Sequence, residues 1–167
     1  MAEEWTDRHA LPLLQAGQAQ KELTHNEAVV LLDALVMAAA AGRADTPPAT
    51  PVPGECWIVG PEPAGAWAAA AEKLACWTAS GWRFLTPREG MRVWRIDLGV
   101  EAVWRAGAWS AGEVRAHRLI VDGEPVVGPR QPAIASPAGG AVVDAEARAA
   151  IGAITAALRA HGLIAAP

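Results

Sequence analysis

Residues 57–82, WIVGPEPAGAWAAAAEKLACWTASGW, and residues 84–109, FLTPREGMRVWRIDLGVEAVWRAGAW, carry the same aromatic pattern. Each aromatic residue of the second stretch lies 27 residues after its counterpart in the first. The paired positions are Trp57 and Phe84, Trp67 and Trp94, Trp77 and Trp104, and Trp82 and Trp109. A period of this length is typical of supersecondary units that bury their apolar faces against a neighbouring copy. Two copies are few for a free-standing repeat protein, so the pattern predicts stabilisation by flanking elements or other chains.

Short β-prone segments separated by turn residues fill both stretches. They are Cys56–Gly60, Ala66–Ala68, Leu74–Thr78, Trp82–Leu85, Met91–Ile96, Val100–Arg105 and a last strand after Ala108. Tight reversals at residues 79–81 and 105–107 and a spacing of about ten residues are typical of an antiparallel meander. Such a sheet has few other large apolar side chains for its core. We therefore expect most of the repeat tryptophans to be buried, with Trp82 and Trp109 partly exposed.

An apolar stretch before the repeat predicts a helix. Thr24 and Glu27 have the spacing of a capping box at its start, and Gly42 is a typical stop at its end. Residues 28–41 between them contain one charged side chain, Asp33. Apolar residues on all sides indicate that this helix is covered twice, and in a small chain another subunit is the expected second cover. Four prolines in residues 44–54 predict a stiff connector to the sheet.

The C-terminal third predicts a hairpin followed by a helix. In residues 119–127, LIVDGEPVV, Asp122-Gly123 is a strong two-residue turn, and Pro125 places the second arm at a sheet edge. Asp144 predicts the N-cap of a helix that runs to His161 and ends at Gly162. Its apolar positions follow the spacing of a coiled coil: Ala147, Ile151, Ile154, Leu158 and His161. Isoleucine at both core positions favours three or four strands over two, whereas a helix lying on its own sheet is the alternative.

These elements predict an α+β protomer: an N-terminal apolar helix, an antiparallel meander built from a two-copy tryptophan repeat, a β-hairpin and a C-terminal helix. The expected segments are 1–43 for attachment and the first helix, 44–128 for the sheet, and 129–167 for a linker and an oligomerisation helix, within one compact domain. We expect a homotrimer. Its predicted interface consists of Leu31, Leu35, Ile151, Ile154 and Leu158.

Charge and length exclude several classes of protein. The 167 residues have a formal net charge of -4 and no basic stripe, which disfavours nucleic acid binding. The acidic N-terminus is unlike a secretory signal, and no apolar run has the length of a membrane span. We therefore expect synthesis in the bacterial cytoplasm and no membrane partner. Cys56 and Cys76 are more typical of reduced, partly buried thiols, and a disulfide between them is the alternative.

The sequence contains little that predicts catalysis. Motifs for serine hydrolases, zinc proteases, P-loops and dinucleotide binding are absent. The best candidate is residues 24–27, Thr-His-Asn-Glu, but capping explains the threonine and the glutamate. His9, His117 and His161 lack ligand spacing to one another or to the cysteines. We therefore predict no catalytic residue, no cofactor and no metal site.

Several contiguous motifs resemble an uncharacterised domain family. They are Leu11–Ala28, Leu32–Leu35, the Pro-x-x-Pro-x-x-Gly entry to the sheet at 48–54, Trp82–Gly90 and Asp144–Ile151. That family occurs in prophages and gene transfer agents of alphaproteobacteria, in fibre and head-spike proteins. The resemblance implies a non-enzymatic virion component, trimeric, that contacts other particle proteins. Residues 15–27 would then form an attachment or packing element, and the last helix would form a bundle.

Two other functions stay open at this point. A carbohydrate-binding module would recognise a host surface polysaccharide through Trp82 or Trp109, because exposed indoles are platforms for sugar rings. A cell-wall or glycan hydrolase would need an acid/base pair. No such pair is evident, and Glu27 is the residue whose substitution would test it.

Overall fold

The computed structural model describes residues 5–15, 17, 21–141 and 144–166. These residues form two α-helices, ten strands and one short 3₁₀ turn, which confirms an α+β protein with mainly antiparallel sheets. The chain divides into two compact units, unit 1 at Met1–Glu113 and unit 2 at Val114–Pro167. This boundary lies inside the segment 44–128 that composition delimits. Residues 16 and 18–20 of the predicted attachment element 15–27 lie outside the described residues.

Unit 1 contains one helix and two four-stranded sheets. Its elements are α1 Lys21–Leu35, β1 Ala39–Ala40, β2 Arg43–Ala44, β3 Cys56–Val59, β4 Leu74–Thr78, β5 Gly81–Leu85, β6 Arg92–Arg95, β7 Val100–Arg105 and β8 Ala108–Ala111. The strand orders are β2-β3-β4-β5 and β1-β6-β7-β8. In each sheet a two-residue strand pairs in parallel with the first strand of a three-stranded antiparallel meander. The predicted meander is thus present as two separate sheets.

Equivalent hairpins lie 27 residues apart in these sheets. In β4–β5, Trp77 opposes Trp82 with ring centroids 5.0 Å apart. In β7–β8, Trp104 opposes Trp109 at 5.4 Å. The other repeat positions fall in unlike elements, for example Trp67 in the 3₁₀ turn and its counterpart Trp94 on β6. The spacing therefore describes the hairpins, and the two-copy interpretation of the whole region stays a prediction.

Residues 38–44, the connecting segment, hydrogen-bond to both sheets. The first half pairs with β6 and the second half with β3, over N···O distances of 2.8–3.0 Å. The bonds run from Trp94 N to Ala38 O, Ile96 N to Ala40 O, Ala41 N to Cys56 O, Ile58 N to Gly42 O and Gly60 N to Ala44 O. Ala38, Ala40 and Gly42 are buried. Small residues here let the two sheets approach one segment of chain.

The predicted first helix has the wrong ends. It begins at Lys21, so Thr24 lies inside it and is no N-cap, and it ends at Leu35. Met37, with φ of 46°, turns the chain out of the helix. The alanines that follow, Ala39 and Ala40, form β1 because their backbone groups bond to β6. Tertiary hydrogen bonds thus override the high helix propensity of alanine, and Gly42 is not a helix stop.

The predicted strand at Ala66–Ala68 is also wrong. Gly65–Trp67 forms a 3₁₀ turn, with Ala68 N donating to Gly65 O at 3.2 Å. The turn places the Trp67 indole in a cluster of tryptophans. Its ring centroid lies 5.1 Å from that of Trp82 and 6.4 Å from that of Trp57. Burial of this large side chain stabilises the turn over an extended strand.

The tryptophans are less buried than the sequence predicts. Trp67 is fully buried, Trp94 is 49% exposed, and the other five repeat tryptophans are half-buried: Trp57, Trp77, Trp82, Trp104 and Trp109. The largest core cluster consists of smaller residues, including Ala40, Ile58 and Leu74. Because aliphatic and small side chains fill the space at the centre of unit 1, the indoles pack around it.

Unit 2 contains the predicted hairpin and helix. The strands are β9 Leu119–Val121 and β10 Glu124–Val127, and the helix is α2 Ala145–Ala160. Asp144 caps α2, since its Oδ1 accepts from Ala147 N at 2.8 Å. Every residue of β9 and β10 is exposed. The two-stranded hairpin is therefore paired on one edge and open on both faces.

Substitution of Gly42 by alanine should destabilise unit 1. A Cβ at this position would lie 2.9 Å from Cζ3 of the Trp57 ring. We expect a loss of about 1–3 kcal/mol in the free energy of unfolding, measured by urea denaturation. Trp57→Phe removes the clashing ring atoms, so the double variant should lose less than the sum of the two single losses. Strictly additive losses would contradict the close contact.

Candidate functional site

The C-terminal end of α1 holds the N-terminal segment, residues 5–15. The Asp33 carboxylate is buried and accepts from the backbone N–H groups of Arg8 and His9, both at 2.9 Å. In return the Arg8 guanidinium donates to the carbonyls of Asp33 and Ala34 at 2.8 and 3.0 Å. These carbonyls lack partners inside the helix, and a cation at a helix C-terminus is favoured by the dipole. The N-terminal segment is thus part of unit 1.

Asn26 binds the N-terminal segment, residues 5–15, at Leu14. Its side-chain Oδ1 accepts from Leu14 N at 2.8 Å, and its Nδ2 donates to Leu14 O at 2.9 Å. The Asn26 side-chain amide therefore makes with Leu14 the two backbone hydrogen bonds that a neighbouring strand would make. Its neighbour Glu27 pairs with the Arg83 guanidinium at 2.8 Å. In the predicted cluster 24–27, Asn26 and Glu27 thus act in packing the N-terminal segment and β5 against α1.

A cleft opens between the N-terminal segment, α1 and the β4–β5 hairpin. It has a volume of about 380 Å³, and we call it the N-terminal cleft. Asp7, Glu22, Asn26, Arg83 and Cys76 are among the residues that line it. Burial and the nearby Asp33 carboxylate raise the pKa of Asp7. Apolar side chains such as Leu23 and Val30 also line the cleft, its carboxylates outnumber its one cation, and a thiol lies in its wall.

The two cysteines lie opposite each other on neighbouring strands, Cys56 on β3 and Cys76 on β4. Both are buried, and both thiols are free. Cys56 Sγ donates to Gly54 O at 3.6 Å, and Cys76 Sγ to Trp77 O at 3.9 Å. A hydrogen bond between the thiols lowers the pKa of Cys76, whereas the same bond and burial raise the pKa of Cys56. The structure thus brings together the two side chains for which the sequence analysis gave a disulfide as the alternative.

The described residues contain no group of three or more histidine, cysteine or acidic side chains that could hold a metal ion. The Arg8 guanidinium and the Asp33 carboxylate act on the pKa of each thiol in opposite directions, and the net shift is upward for Cys56 and downward for Cys76. Within the part of the chain that the structure describes, no helix is long and apolar enough to span a membrane.

The predicted interface residues lie in both units. Leu31 is half-buried against the core of unit 1, and Leu35 is 43% exposed at the end of α1. On α2, Ile151 and Ile154 are 44% and 60% exposed, and Leu158 is half-buried. The three α2 residues share one face of that helix by their spacing. Most of the predicted interface is thus accessible in the single chain.

Unit 2 leaves nearly all of its large apolar side chains uncovered. Among its described residues only Thr155 and Ile164 are buried. The exposed set comprises Val114, Leu119, Ile120, Val121, Val126, Val127, Ile134, Ile151, Ile154 and Leu163. A soluble monomer exposes such residues singly, whereas extended apolar surfaces mark interaction sites. Unit 2 therefore exposes many more large apolar side chains than it buries among its described residues.

An exposed indole on unit 1 was missed by the sequence prediction. Trp94 borders an open groove of about 440 Å³ whose wall also contains Met37, Arg92 and Glu101. Arg92 and Glu101 pair at 2.5 Å beside it. The alternation Arg92-Val93-Trp94-Arg95 could have revealed this indole, because Val93 is buried and the side chains on either side of it point to the opposite face.

The predicted sugar-contact residues Trp82 and Trp109 are engaged in packing. Trp82 contacts Trp67 and Trp77, with ring centroids 5.1 and 5.0 Å away. Trp109 packs on the core, and its Nε1 donates to Glu72 O at 2.8 Å. Both indoles keep part of their surface exposed, but neither stands free as Trp94 does.

Helix α1 and the two meander sheets form a small α+β domain. The family described as "Protein of unknown function (DUF2793)" matches residues 25–110, just over half of the chain. The chain belongs to this family. No curated protein matches it.

Replacing Asp7 by asparagine should change the pH dependence of stability. The pKa of Asp7 is raised above 3.8 in the folded chain, so the fold favours the neutral carboxyl and loses stability as the pH rises through that value. Asp7→Asn should therefore be more stable than the parent at pH 7, with no difference well below pH 3.8, as measured by urea midpoints.

Asp97→Asn is the matched control, with the opposite sign. Arg95 lowers the pKa of Asp97, so its charge stabilises the fold above the usual carboxyl range and this contribution disappears in acid. The variant should be slightly less stable than the parent at pH 7. An Asp7→Asn midpoint at or below that of the parent at pH 7 would contradict the assignment.

Proposed function

We propose that this protein is a non-enzymatic structural component of a phage or gene-transfer-agent particle, a short fibre, spike or fibre-attachment adaptor that assembles as a homotrimer. The observation that carries the proposal is the uncovered apolar surface of unit 2. The motif resemblance to prophage fibre and head-spike proteins supports the particle as the place of assembly. Residues 15–27 then belong to an attachment element, and its Asn26 side chain bonds to the backbone of Leu14.

The energetics of unit 2 favour partners of the same kind. Ordering a residue costs roughly 1–2 kcal/mol of backbone entropy, which folding offsets mainly by apolar burial. Two buried side chains among the described residues of unit 2 give little such burial. Covering the exposed parts of Ile151 and Ile154 in a helix bundle would contribute roughly 1 kcal/mol for each residue, because about half of each side chain is already covered. Other copies of the same chain supply α2 helices that present the same apolar face.

The number of copies follows from the residues at the core positions of α2. Ile151 and Ile154 occupy both kinds of core position, which favours three or four helices over two. Exposed residues on α1, such as Leu32 at 55% and Leu35 at 43%, provide a second apolar surface.

Changing Ile151 and Leu158 together to glutamate should convert the trimer to monomer or to insoluble material. Two charges per chain at buried core positions of a bundle would be desolvated without partners. The measurement is molar mass by light scattering at several protein concentrations.

Ala149→Glu together with Ala156→Glu is the matched control. These residues have the same spacing on the opposite face of α2 and are exposed, so the control should stay trimeric. A trimer unchanged in the first variant, or lost equally in both, would refute the interface. A parent chain that is monomeric at all concentrations would refute the assembly proposal itself.

Carbohydrate binding is a second candidate function, favoured by one observation. Trp94 is 49% exposed beside a groove whose wall contains the charged pair of Arg92 and Glu101. A flat indole next to hydrogen-bonding groups suits the apolar face and the hydroxyls of a sugar ring. Trp94 is a better platform than Trp82 or Trp109, since both of those pack on other residues.

A glycan array of bacterial surface polysaccharides tests this candidate. Trp94→Ala should abolish the binding seen with the parent chain, while the circular dichroism spectrum stays unchanged. Trp5→Ala removes another exposed indole, 55% accessible, and should bind as the parent does. Equal binding by the parent and Trp94→Ala would exclude this indole, and absence of binding by the parent would exclude the function for the glycans tested.

A further inference from the structure

We propose that Cys56 and Cys76 are a site of oxidative modification, in which a small hydroperoxide such as hydrogen peroxide enters the N-terminal cleft and converts the two thiols to an intramolecular disulfide. The inference is independent of the assembly proposed above, because both cysteines and the cleft belong to unit 1.

The backbone register places the two thiols correctly for a disulfide. Trp77 N donates to Glu55 O at 2.8 Å, and Val59 N donates to Lys73 O at 2.9 Å. Hydrogen-bonded and non-hydrogen-bonded pairs alternate along an antiparallel ladder, so Cys56 and Cys76 form a non-hydrogen-bonded pair. Opposed Cα atoms in such a pair are about 4.5 Å apart, inside the range that disulfides span. Bond formation therefore needs no shift of the strands.

Access to the pair is asymmetric. Cys76 lines the N-terminal cleft, whereas Cys56 is absent from its wall. The cleft holds about 380 Å³, which is ample for a hydroperoxide. Thiolates, not thiols, attack peroxides, and the hydrogen bond from Cys56 lowers the pKa of Cys76. The residue that an oxidant meets first is thus the one that ionises first.

The chemistry proceeds in two balanced steps. The Cys76 thiolate attacks one oxygen of hydrogen peroxide, the O–O bond breaks, and Cys76 sulfenic acid and hydroxide form. The Cys56 sulfur then attacks the sulfenic sulfur, and its proton leaves with the hydroxyl group as water. In total, the peroxide is reduced to one hydroxide and one water, and the two cysteines are oxidised to one disulfide.

Both cysteines are also buried members of the main core cluster of unit 1. Their hydrogen bonds to backbone carbonyls, at 3.6 and 3.9 Å, are long even for sulfur donors. The whole chain has two cysteines, and the fold brings both to facing positions of adjacent strands.

Treatment of the full-length, folded chain with hydrogen peroxide tests the proposal. We expect a mass lower by two hydrogen atoms, loss of both titratable thiols, and one cross-linked peptide pair containing Cys56 and Cys76 in a non-reducing digest. Dithiothreitol should reverse all three changes. The oxidised chain should unfold at a temperature higher by roughly 10 °C, because the cross-link restricts the unfolded state.

Single substitutions assign the roles of the two thiols. In Cys56→Ser, dimedone should trap a sulfenic acid on Cys76, which the parent chain should not accumulate. In Cys76→Ser, Cys56 should lose its reaction with peroxide. Should either variant fail to fold, the peptide map of the parent chain still decides. Thiols that resist peroxide in the folded parent, a cross-link between chains only, or sulfinic acid on Cys76 without a disulfide would each overturn the proposal.

Discussion

The hydrogen bonds of residues 38–44 to both sheets are the constraint on which unit 1 depends. One short segment completes the ladder of β6 with its first half and that of β3 with its second half. Two sheets can share so short a segment only where the side chains between them are small. Ala40 is fully buried, and Gly42 lies against the Trp57 ring with no room for a Cβ. The large indoles consequently pack around the junction, and the aliphatic residues form its centre.

The N-terminal segment depends on this junction in turn. Met37 leaves the helix just before the junction begins, which exposes the last carbonyls of α1 to the Arg8 guanidinium. Asp33 completes the exchange by accepting two backbone N–H groups. Each partner satisfies polar groups that burial would otherwise leave unpaired, so the contact is mutual. The cleft and the thiol in its wall result from this attachment, because residues 5–15 form one side of it.

The two units differ in how they obtain stability. Unit 1 has contiguous core clusters and several buried side chains on each meander sheet. Unit 2 has capped helix geometry and a regular hairpin, yet few buried side chains among its described residues. Local signals suffice to specify its elements, whereas these elements bury little apolar surface in the single chain. This contrast supports a structural role better than a catalytic one, and the indole of Trp94 offers a separate surface for a ligand.

The sequence by itself determined the elements whose signals are local. Turn residues fixed the hairpins β4–β5, β7–β8 and β9–β10, and the Asp144 side chain fixed the start of α2. Only the tertiary structure decided the conformation of residues 38–41 and 65–67. Hydrogen bonds to residues distant in sequence and the burial of Trp67 outweigh local propensity there. It also decided that Cys56 faces Cys76 and that Asp33 holds residues 8 and 9. Those contacts join residues far apart in the chain, and their register depends on the sheet pairing as a whole.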